Sequence, residues 1–178
     1  MAILVIGGSG RNVGKTTLIC ALIRQLTEVR WTAVKVSAHA HCPEIIWEED
    51  SPGQGSDTAR YLAAGAQRAF LVSAPDNEIP IREIRLAFDG VDNVIFESNR
   101  IVDCIRPSIA MAVWGPGTDI KPSFQAFLRK ADAIVLVEDQ KLVCALPRGL
   151  PVFRVKDFDC IPPDMMAWLR ERLNTADR

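Results

Sequence analysis

The sequence has almost no excess of charge of either sign, because 21 basic residues stand against 22 acidic ones and the formal net charge at pH 7 is −1. A broad basic face for nucleic acid is therefore not expected. No apolar run approaches the ~20 residues that a helix needs to span a bilayer, so we expect no membrane segment. No basic leader with a cleavage signal precedes the first apolar run. We therefore expect no secretory signal peptide and a cytoplasmic location.

Paired cysteines and clustered metal ligands are also scarce. The chain has five cysteines, an odd number, and none of them forms a CxxC pair. Reduced thiols in a cytosol are the simplest interpretation. Both histidines fall in one short segment, His39-Ala40-His41-Cys42. The alternation would put both imidazoles on one side of an extended segment, as a transition-metal site requires. Two or three ligands are too few for structural zinc, so a polar loop is favoured over a metal site.

Apolar segments and amphipathic segments alternate along the 178 residues, which predicts one α/β domain over residues 1–178. A mostly parallel sheet of about seven strands, covered by helices on both faces, is expected. The predicted strands are Ala2–Ile6, Thr32–Ser37, Ala69–Val72, Val94–Phe96, Ser108–Val113, Ala133–Val137 and Val152–Val155. The segment from Ala38 to Gln54 is polar and predicts a long loop of functional character.

The segment between the first strand and the first helix is glycine-rich and predicts a phosphate-binding P-loop, or Walker A motif. Successive backbone amides there would form a nest around phosphate oxygens at a helix N-terminus. Lys15 would contact the outer phosphates and the hydroxyl of Thr16 would ligate Mg²⁺. The usual first glycine of the pattern is Ser9 here. The expected nucleotide-binding residues are Ser9, Gly10, Arg11, Asn12, Val13, Gly14, Lys15, Thr16 and Thr17.

Magnesium in P-loop proteins also needs an acidic partner at the end of a strand. Two strands end in acids, one at Glu97 and one at Glu138-Asp139. Glu97 is favoured because Ser98-Asn99 follows it and suits a tight turn that faces a ligand. Asp57, at the start of a predicted helix after the long loop, is a third acid that would meet Mg²⁺ and the γ-phosphate. Lys15, Asp57 and Glu97 are therefore the candidate catalytic residues, and Thr16, Asp57 and Glu97 the candidate metal ligands.

The chain resembles the molybdopterin-guanine dinucleotide biosynthesis protein B (MobB) family of small P-loop proteins over roughly residues 1 to 115. The segments that carry the resemblance are the loop followed by Thr16-Thr17-Leu18-Ile19, Val34-Lys35 with His39 and His41 beyond it, Asp57-Thr58-Ala59-Arg60, Ala64-Gly65-Ala66, Leu71-Val72-Ser73 and the strand that ends at Glu97. Among these, the Asp-x-x-Arg and Ala-Gly-Ala spacing is the most distinctive. The family usually has a glycine directly after the acid that corresponds to Glu97.

The resemblance implies a three-layer P-loop fold, with Asp57 and Glu97 facing the Mg²⁺ and phosphate region. It also implies an association with GTP, a client enzyme in molybdenum cofactor biosynthesis and a homodimer. The residues themselves leave GTP or ATP open, because the Asn-Lys-x-Asp box of many GTPases is absent. Lys156-Asp157-Phe158-Asp159 follows the last strand, where such folds often meet the base, but it does not match that box.

Two other functions remain open from the sequence. The chain could be a small-molecule kinase or ligase similar to dethiobiotin synthetase, with Lys35, His39 and Arg100 as candidate substrate contacts. It could also be a metal-handling protein built on His39, His41 and Cys42. The favoured hypothesis is a Mg²⁺-dependent nucleotide-binding accessory protein that hydrolyses its nucleotide slowly, if at all.

Overall fold

Strands and helices alternate along the chain, as the apolar pattern predicts. The computed structural model describes residues 2–38, 44–75, 78–115, 120–137 and 149–176. The strands are β1 (Ala2–Gly8), β2 (Trp31–Ser37), β3 (Ile46–Glu48), β4 (Arg68–Ser73), β5 (Asn93–Glu97), β6 (Ile109–Trp114), β7 (Ala133–Val137) and β8 (Val152–Val155). The helices are α1 (Lys15–Gln25), α2 (Asp57–Ala63), α3 (Ile81–Ala87), α4 (Pro122–Leu128) and α5 (Pro163–Ala176), with a 3-10 helix at Ile101–Asp103.

The strands form one sheet in the order β3-β4-β2-β5-β1-β6-β7-β8. The pairing is parallel throughout, except that β3 runs antiparallel to β4. β1 lies between β5 and β6, so that Ile6 is opposite Glu97 on one side and Met111 on the other. β2 is the other neighbour of β5 and brings Lys35 opposite Glu97. The carboxyl ends of the parallel strands therefore meet at one edge, where open α/β sheets bind their ligands.

Two apolar cores, one on each face of the sheet, give the molecule three layers. Leu4 and Ile6 of β1 belong to the core beneath α1, α2 and α5. Val5, between them, belongs to the core beneath α3, α4 and the 3-10 helix. This alternation is the period of two that a strand requires, and both faces are apolar because both are covered. None of the described helices is long and apolar enough to cross a membrane.

The strand that the apolar pattern does not predict is β3, which lies inside the polar segment interpreted as a loop. Its three residues pair with β4, with Trp47 opposite Leu71 and half-buried. The prediction of a loop is wrong for these residues, because a three-residue edge strand is too short to show a periodic pattern. The position of β3 depends on its backbone pairing with β4. The expected α/β fold with a mostly parallel sheet is confirmed, with eight strands.

Candidate functional site

The glycine-rich loop between β1 and α1 contains two residues of positive φ. Asn12 has φ 56° and Gly14 has φ 96°, both in the left-handed region. Such residues alternate with right-handed ones where backbone amides converge into a nest for an anion. A Cβ atom added to Gly14 would lie 2.4 Å from the ring of Phe158, so only glycine fits there. The two positive φ values are compatible with the predicted phosphate loop.

Ser9 occupies the place of the usual first glycine, and its environment explains why serine is accepted. Among the described residues Asn12 is the one non-glycine with a positive φ, so Ser9 does not need the freedom of glycine. Ser9 is buried, its amide donates to Val113 O over 3.0 Å, and its Oγ accepts from the amide of Gly115 over 3.2 Å. The serine side chain thus points inward and ties the loop to the end of β6.

Seven of the nine predicted nucleotide-binding residues line an open cleft of about 1050 Å³ at the carboxyl edge of the sheet. Ser9 and Val13 do not line the cleft, because these two loop residues are buried. The Nζ of Lys15 reaches back along the loop and donates to Gly10 O over 2.8 Å. Burial lowers the pKa of Lys15, the charge of Glu97 opposes that effect, and the nearby charges of Lys121 and Lys35 add to it. Residues that line the cleft are Gly10, Arg11, Asn12, Gly14, Lys15, Thr16 and Thr17.

Glu97, at the end of β5, is the centre of a hydrogen-bonded group beneath the loop. The residue is 6 % exposed. Its Oε2 accepts from the hydroxyl of Thr16 at 2.7 Å and from the phenol of Tyr61 at 2.5 Å. Its Oε1 lies 3.5 Å from the Nζ of Lys35. Three donors converge on this side chain from α1, α2 and β2, so it is held in one orientation.

Asp57 stands at the start of α2 and faces the same group. Ser56 caps the helix by accepting from the amide of Ala59 at 3.0 Å, which fixes where α2 begins. Lys35 donates to Asp57 Oδ2, and Arg60 lies 3.6 Å from Oδ1. Burial acts to raise the pKa of Asp57, but its bond with Lys35 and the neighbouring cations outweigh burial and lower the pKa. Asp57 is therefore ionised throughout the neutral range.

Lys35 bridges the two acids from the strand beside β5. Burial acts to lower its pKa, and the charges and hydrogen bonds of Glu97 and Asp57 more than compensate, so the pKa of Lys35 is raised. Tyr61 lies on the opposite side of Glu97 and is fully buried. Burial first and the charge of Glu97 second raise its pKa well above the usual value, so it remains a hydrogen-bond donor. Tyr61 is not among the predicted site residues, although its position four residues after Asp57 puts both on one face of α2.

Asn99 is a second functional residue that the sequence analysis missed in this role. Its Oδ1 accepts from the amide of Gly8 at 2.7 Å, and its Nδ2 donates to Gly8 O at 3.0 Å. Both backbone groups at the end of β1 are thereby satisfied by one side chain. Asn99 holds the strand from which the loop departs.

Thr16, Asp57 and Glu97 are the donor set that a magnesium ion would meet at this site. Mg²⁺ prefers oxygen ligands and is usually held by one or two carboxylates together with phosphate and water oxygens. Two carboxylates and a hydroxyl beside a phosphate loop fit that preference. Among the described residues, no cluster of three or more His, Cys, Asp and Glu side chains could hold a metal ion.

Two alternatives from the sequence fall outside the described residues. Glu138-Asp139, the rival acids, belong to the part of the chain of which nothing structural is stated. The same holds for His39, His41 and Cys42, the residues of the metal-handling hypothesis.

No family model and no curated protein matches this sequence. Similar solved structures include LpxK from Aquifex aeolicus in complex with ATP, which is 15% identical with a TM-score of 0.55, over 99% of this chain and 68% of LpxK. They also include a MobB protein homolog from Bacillus stearothermophilus, 18% identical with a TM-score of 0.51, over 98% of this chain and 99% of that one. The Bacillus subtilis MobB is 20% identical with a TM-score of 0.50, over 97% and 98% of the two chains.

Identities of this size show a shared fold and nothing finer. The chain has the three-layer P-loop NTPase fold, and the expected likeness to MobB structures is confirmed at the level of that fold. The likeness to both MobB structures extends over nearly the whole of each chain, whereas LpxK contains a further part that this chain does not match.

Proposed function

We propose that this protein, a chain with the P-loop NTPase fold, binds a nucleoside triphosphate with Mg²⁺ and serves as a cytoplasmic accessory NTPase in the biosynthesis of a molybdopterin-type cofactor. The observation that carries the proposal is the 2.7 Å hydrogen bond between the hydroxyl of Thr16 and the carboxylate of Glu97. A hydroxyl directly after the loop lysine and an acid at a strand end are the residues that hold Mg²⁺ in P-loop NTPases. Their direct contact supports a site built for a metal-bound triphosphate.

Each residue of the site has a distinct role in this proposal. The amides from Gly10 to Gly14 cradle the phosphates, and Lys15 binds the β- and γ-phosphate oxygens. Thr16 and Glu97 hold Mg²⁺, directly or through a water molecule, and Asp57 shares in holding the metal or orients the attacking water. Mg²⁺, when bound, offsets the charge that develops on the transferred phosphoryl group.

Lys35 competes with Mg²⁺ for Asp57 and Glu97. In the structure its ammonium group lies between Asp57 and Glu97, so part of the metal's place is taken by a side-chain cation. Binding of Mg²⁺ therefore requires Lys35 to give up at least one of its carboxylate partners, after which its charge is available to the γ-phosphate. Hydrolysis by this site is proposed to be slow.

The proposal accepts either GTP or ATP. One similar structure, LpxK, was solved in complex with ATP. The likeness to the two MobB structures supports the choice of a molybdopterin-type pathway and of a client enzyme as the partner, because it extends over nearly all of each chain. A homodimer belongs to the same proposal. No nucleic acid is expected as a partner, since the net charge is −1.

A second candidate function is an ATP-dependent kinase or ligase for a small molecule. The cleft favours it in one respect, because it extends past the loop to Arg100 and Lys121, beyond the residues that a triphosphate needs. Stimulation of nucleotide turnover by a small acceptor would distinguish this function from that of an accessory NTPase.

Calorimetric titration of the purified protein with non-hydrolysable GTP and ATP analogues, with and without Mg²⁺, tests the proposal. We expect one analogue to bind at one equivalent, more tightly with Mg²⁺, and Lys15→Ala to abolish binding. Lys130→Ala is the matched control, because Lys130 is an exposed lysine bound to Asp103 far along the chain from the loop. Absence of binding at millimolar nucleotide to the folded wild-type protein would contradict the proposal.

A further inference from the structure

Arg100 has a buried nitrogen that no described residue satisfies. The residue is half-buried in the cleft, three positions after Glu97, and its backbone amide donates to Ser98 Oγ at 3.1 Å. Its side-chain Nη1 is buried and makes no hydrogen bond within the described part of the chain. A guanidinium group is always charged and has only donors, so a buried one without an acceptor is costly. Arg100 lines the cleft, and an anion bound there is the partner that suits its permanent charge.

Lys121 brings a second positive charge to the same cleft. Its backbone amide lies 3.4 Å from Ser9 O, which holds it beside the first residue of the phosphate loop. Its charge is near enough to contribute to the lowered pKa of Lys15. The side chain is exposed and has no ion pair among the residues that the structure describes. Arg100 therefore lies at the cleft from the segment after β5, and Lys121 from the residue before α4.

The polar groups beside these two cations suit an oxyanion. Asn99 Nδ2 lies 3.4 Å from the hydroxyl of Ser123, so the chain neighbour of Arg100 contacts a residue two positions after Lys121, and all four residues line the cleft. Ser123 offers a hydroxyl that can donate to an oxygen acceptor. The lining thus combines a guanidinium, an ammonium and a hydroxyl, the groups that bind carboxylates and phosphates.

The charge of the cleft exceeds what one metal-bound triphosphate calls for. Six basic side chains line it against two acidic ones, Asp57 and Glu97. Mg²⁺ already offsets part of the triphosphate charge, and Lys35 and Arg60 are paired with the acids. The basic residues of the lining are Arg11, Lys15, Lys35, Arg60, Arg100 and Lys121.

We propose that Arg100 and Lys121, with the hydroxyl of Ser123, form a second subsite that binds the carboxylate or phosphate group of a small co-substrate next to the terminal phosphate of the nucleotide. The location beside the terminal phosphate rests on the proposed function, because it requires the nucleotide to occupy the loop. The subsite itself rests only on the residues just described. It gives the cleft two neighbouring anionic ligands, as a phosphoryl-transfer or ligase reaction needs.

The test is a calorimetric titration of inorganic phosphate, and separately of acetate, into protein saturated with Mg²⁺ and the non-hydrolysable nucleotide analogue at constant ionic strength. The two probes distinguish a phosphate group from a carboxylate. We expect one equivalent of at least one probe to bind. Arg100→Gln should weaken that binding by roughly tenfold to a hundredfold, the value of a hydrogen bond to a charged group. Lys121→Gln should weaken it as well, and because Lys121 is exposed that variant should fold.

Lys130→Gln is the matched control and should leave the affinity for the probe unchanged. Failure of both probes to bind the nucleotide-loaded wild type at millimolar concentration would overturn the subsite, and so would wild-type affinity for the probe in Arg100→Gln and Lys121→Gln. If no nucleotide binds, the proposed function fails by itself, and phosphate is then titrated into Lys15→Ala. Loss of binding in Lys15→Ala/Arg100→Gln would support the subsite without the nucleotide, whereas equal binding in the two variants would refute it.

Discussion

The hydroxyl of Thr16 donates a hydrogen bond of 2.7 Å to the carboxylate of Glu97, and this bond joins the first turn of α1 to the end of β5. The contact links the loop that would hold phosphate to the acid that would hold metal. Since β5 is also the parallel neighbour of β1, the loop and the acid are placed by the same pair of strands. Their separation therefore depends on strand register and not on a flexible connection.

Replacement of Glu97 by glutamine should disturb the site more than its size suggests. Thr16, Tyr61 and Lys35 all present donors to the carboxylate, so the amide nitrogen of glutamine would face a donor. We expect Glu97→Gln to lower the free energy of unfolding by about 1–3 kcal/mol and to remove the effect of Mg²⁺ on nucleotide affinity. Urea denaturation and calorimetry measure the two changes.

The control for Glu97→Gln is Glu48→Gln. Glu48 forms an exposed ion pair with Arg68 at 2.7 Å, and its loss should cost less than about 1 kcal/mol. Equal losses of stability in the two variants, or an unchanged Mg²⁺ effect in Glu97→Gln, would contradict the role given to Glu97.

Lys35→Met should strengthen the binding of Mg²⁺ to the protein without nucleotide. The lysine neutralises Asp57 and Glu97, so its removal leaves two close carboxylates that attract a divalent cation and repel each other. The variant should unfold at a lower temperature without Mg²⁺ and gain more from added MgCl₂ than the wild type does. Thermal denaturation over a MgCl₂ series measures this gain, with Lys130→Met as the control. The same response to Mg²⁺ in Lys35→Met and the wild type would rule out competition at this site.

The decrease in thermal stability at acid pH should depend on Asp57. Its pKa is lowered in the folded protein below the ordinary value of 3.8. Its contribution to stability is therefore complete above that value and is lost as the pH falls through the lower, folded pKa. Asp57→Asn should be less stable than the wild type at neutral pH, and the difference should shrink below about pH 4. Thermal midpoints from pH 7 to pH 3 measure the difference; a constant difference would be inconsistent with the lowered pKa.

Gly14→Ala should be more destabilising than alanine at another glycine of positive φ. Any side chain in this left-handed region costs roughly 1–2 kcal/mol, and at Gly14 the added Cβ also meets Phe158 at 2.4 Å. Gly90→Ala isolates the backbone cost, because Gly90 has φ 72° and nothing within 4 Å of an added Cβ. Urea denaturation compares the two variants and Gly14→Ala/Phe158→Ala, in which the clash is removed. Equal losses in Gly14→Ala and Gly90→Ala would show that Phe158 does not restrict the loop.

The sequence predicts the fold and the convergence of Thr16, Asp57 and Glu97 because general rules apply to them. Parallel strands end at one edge, and a lysine-threonine pair after a glycine-rich turn starts a helix there. Seven strands are predicted because each contains a short apolar run, although alternate residues of β8 are exposed. The structure brings the three residues together through Lys35, which connects Asp57 to Glu97.

The remaining features depend on tertiary register that no local pattern contains. The role of Tyr61 depends on the packing of α2 against β4 and β2, which brings its phenol to Glu97 of β5. Asn99 has the sequence pattern of a turn residue. Its role appears only in the folded chain, where the end of β1 lies beside it and its side-chain amide bonds with the backbone of Gly8. Ser9 departs from the usual P-loop pattern, and tertiary contacts explain its presence. Its amide donates to Val113 O of β6, and its Oγ accepts from the amide of Gly115, the residue after β6. β3 has no pattern of its own, and its edge position follows from its pairing with β4.

The position of β1 between β5 and β6 sets the order in which the molecule can be assembled during synthesis. β1 is synthesised before the other strands of this sheet, yet Ala2 pairs with Asn93 and Leu4 pairs with Ile109, both far downstream. Such long-range parallel pairing has to await its partners and is slow to form. The loop after β1 is therefore made before both strands that flank β1 and acquires its shape only after them. A nascent chain that ends before β5 contains the whole phosphate-loop motif without either of these two strands.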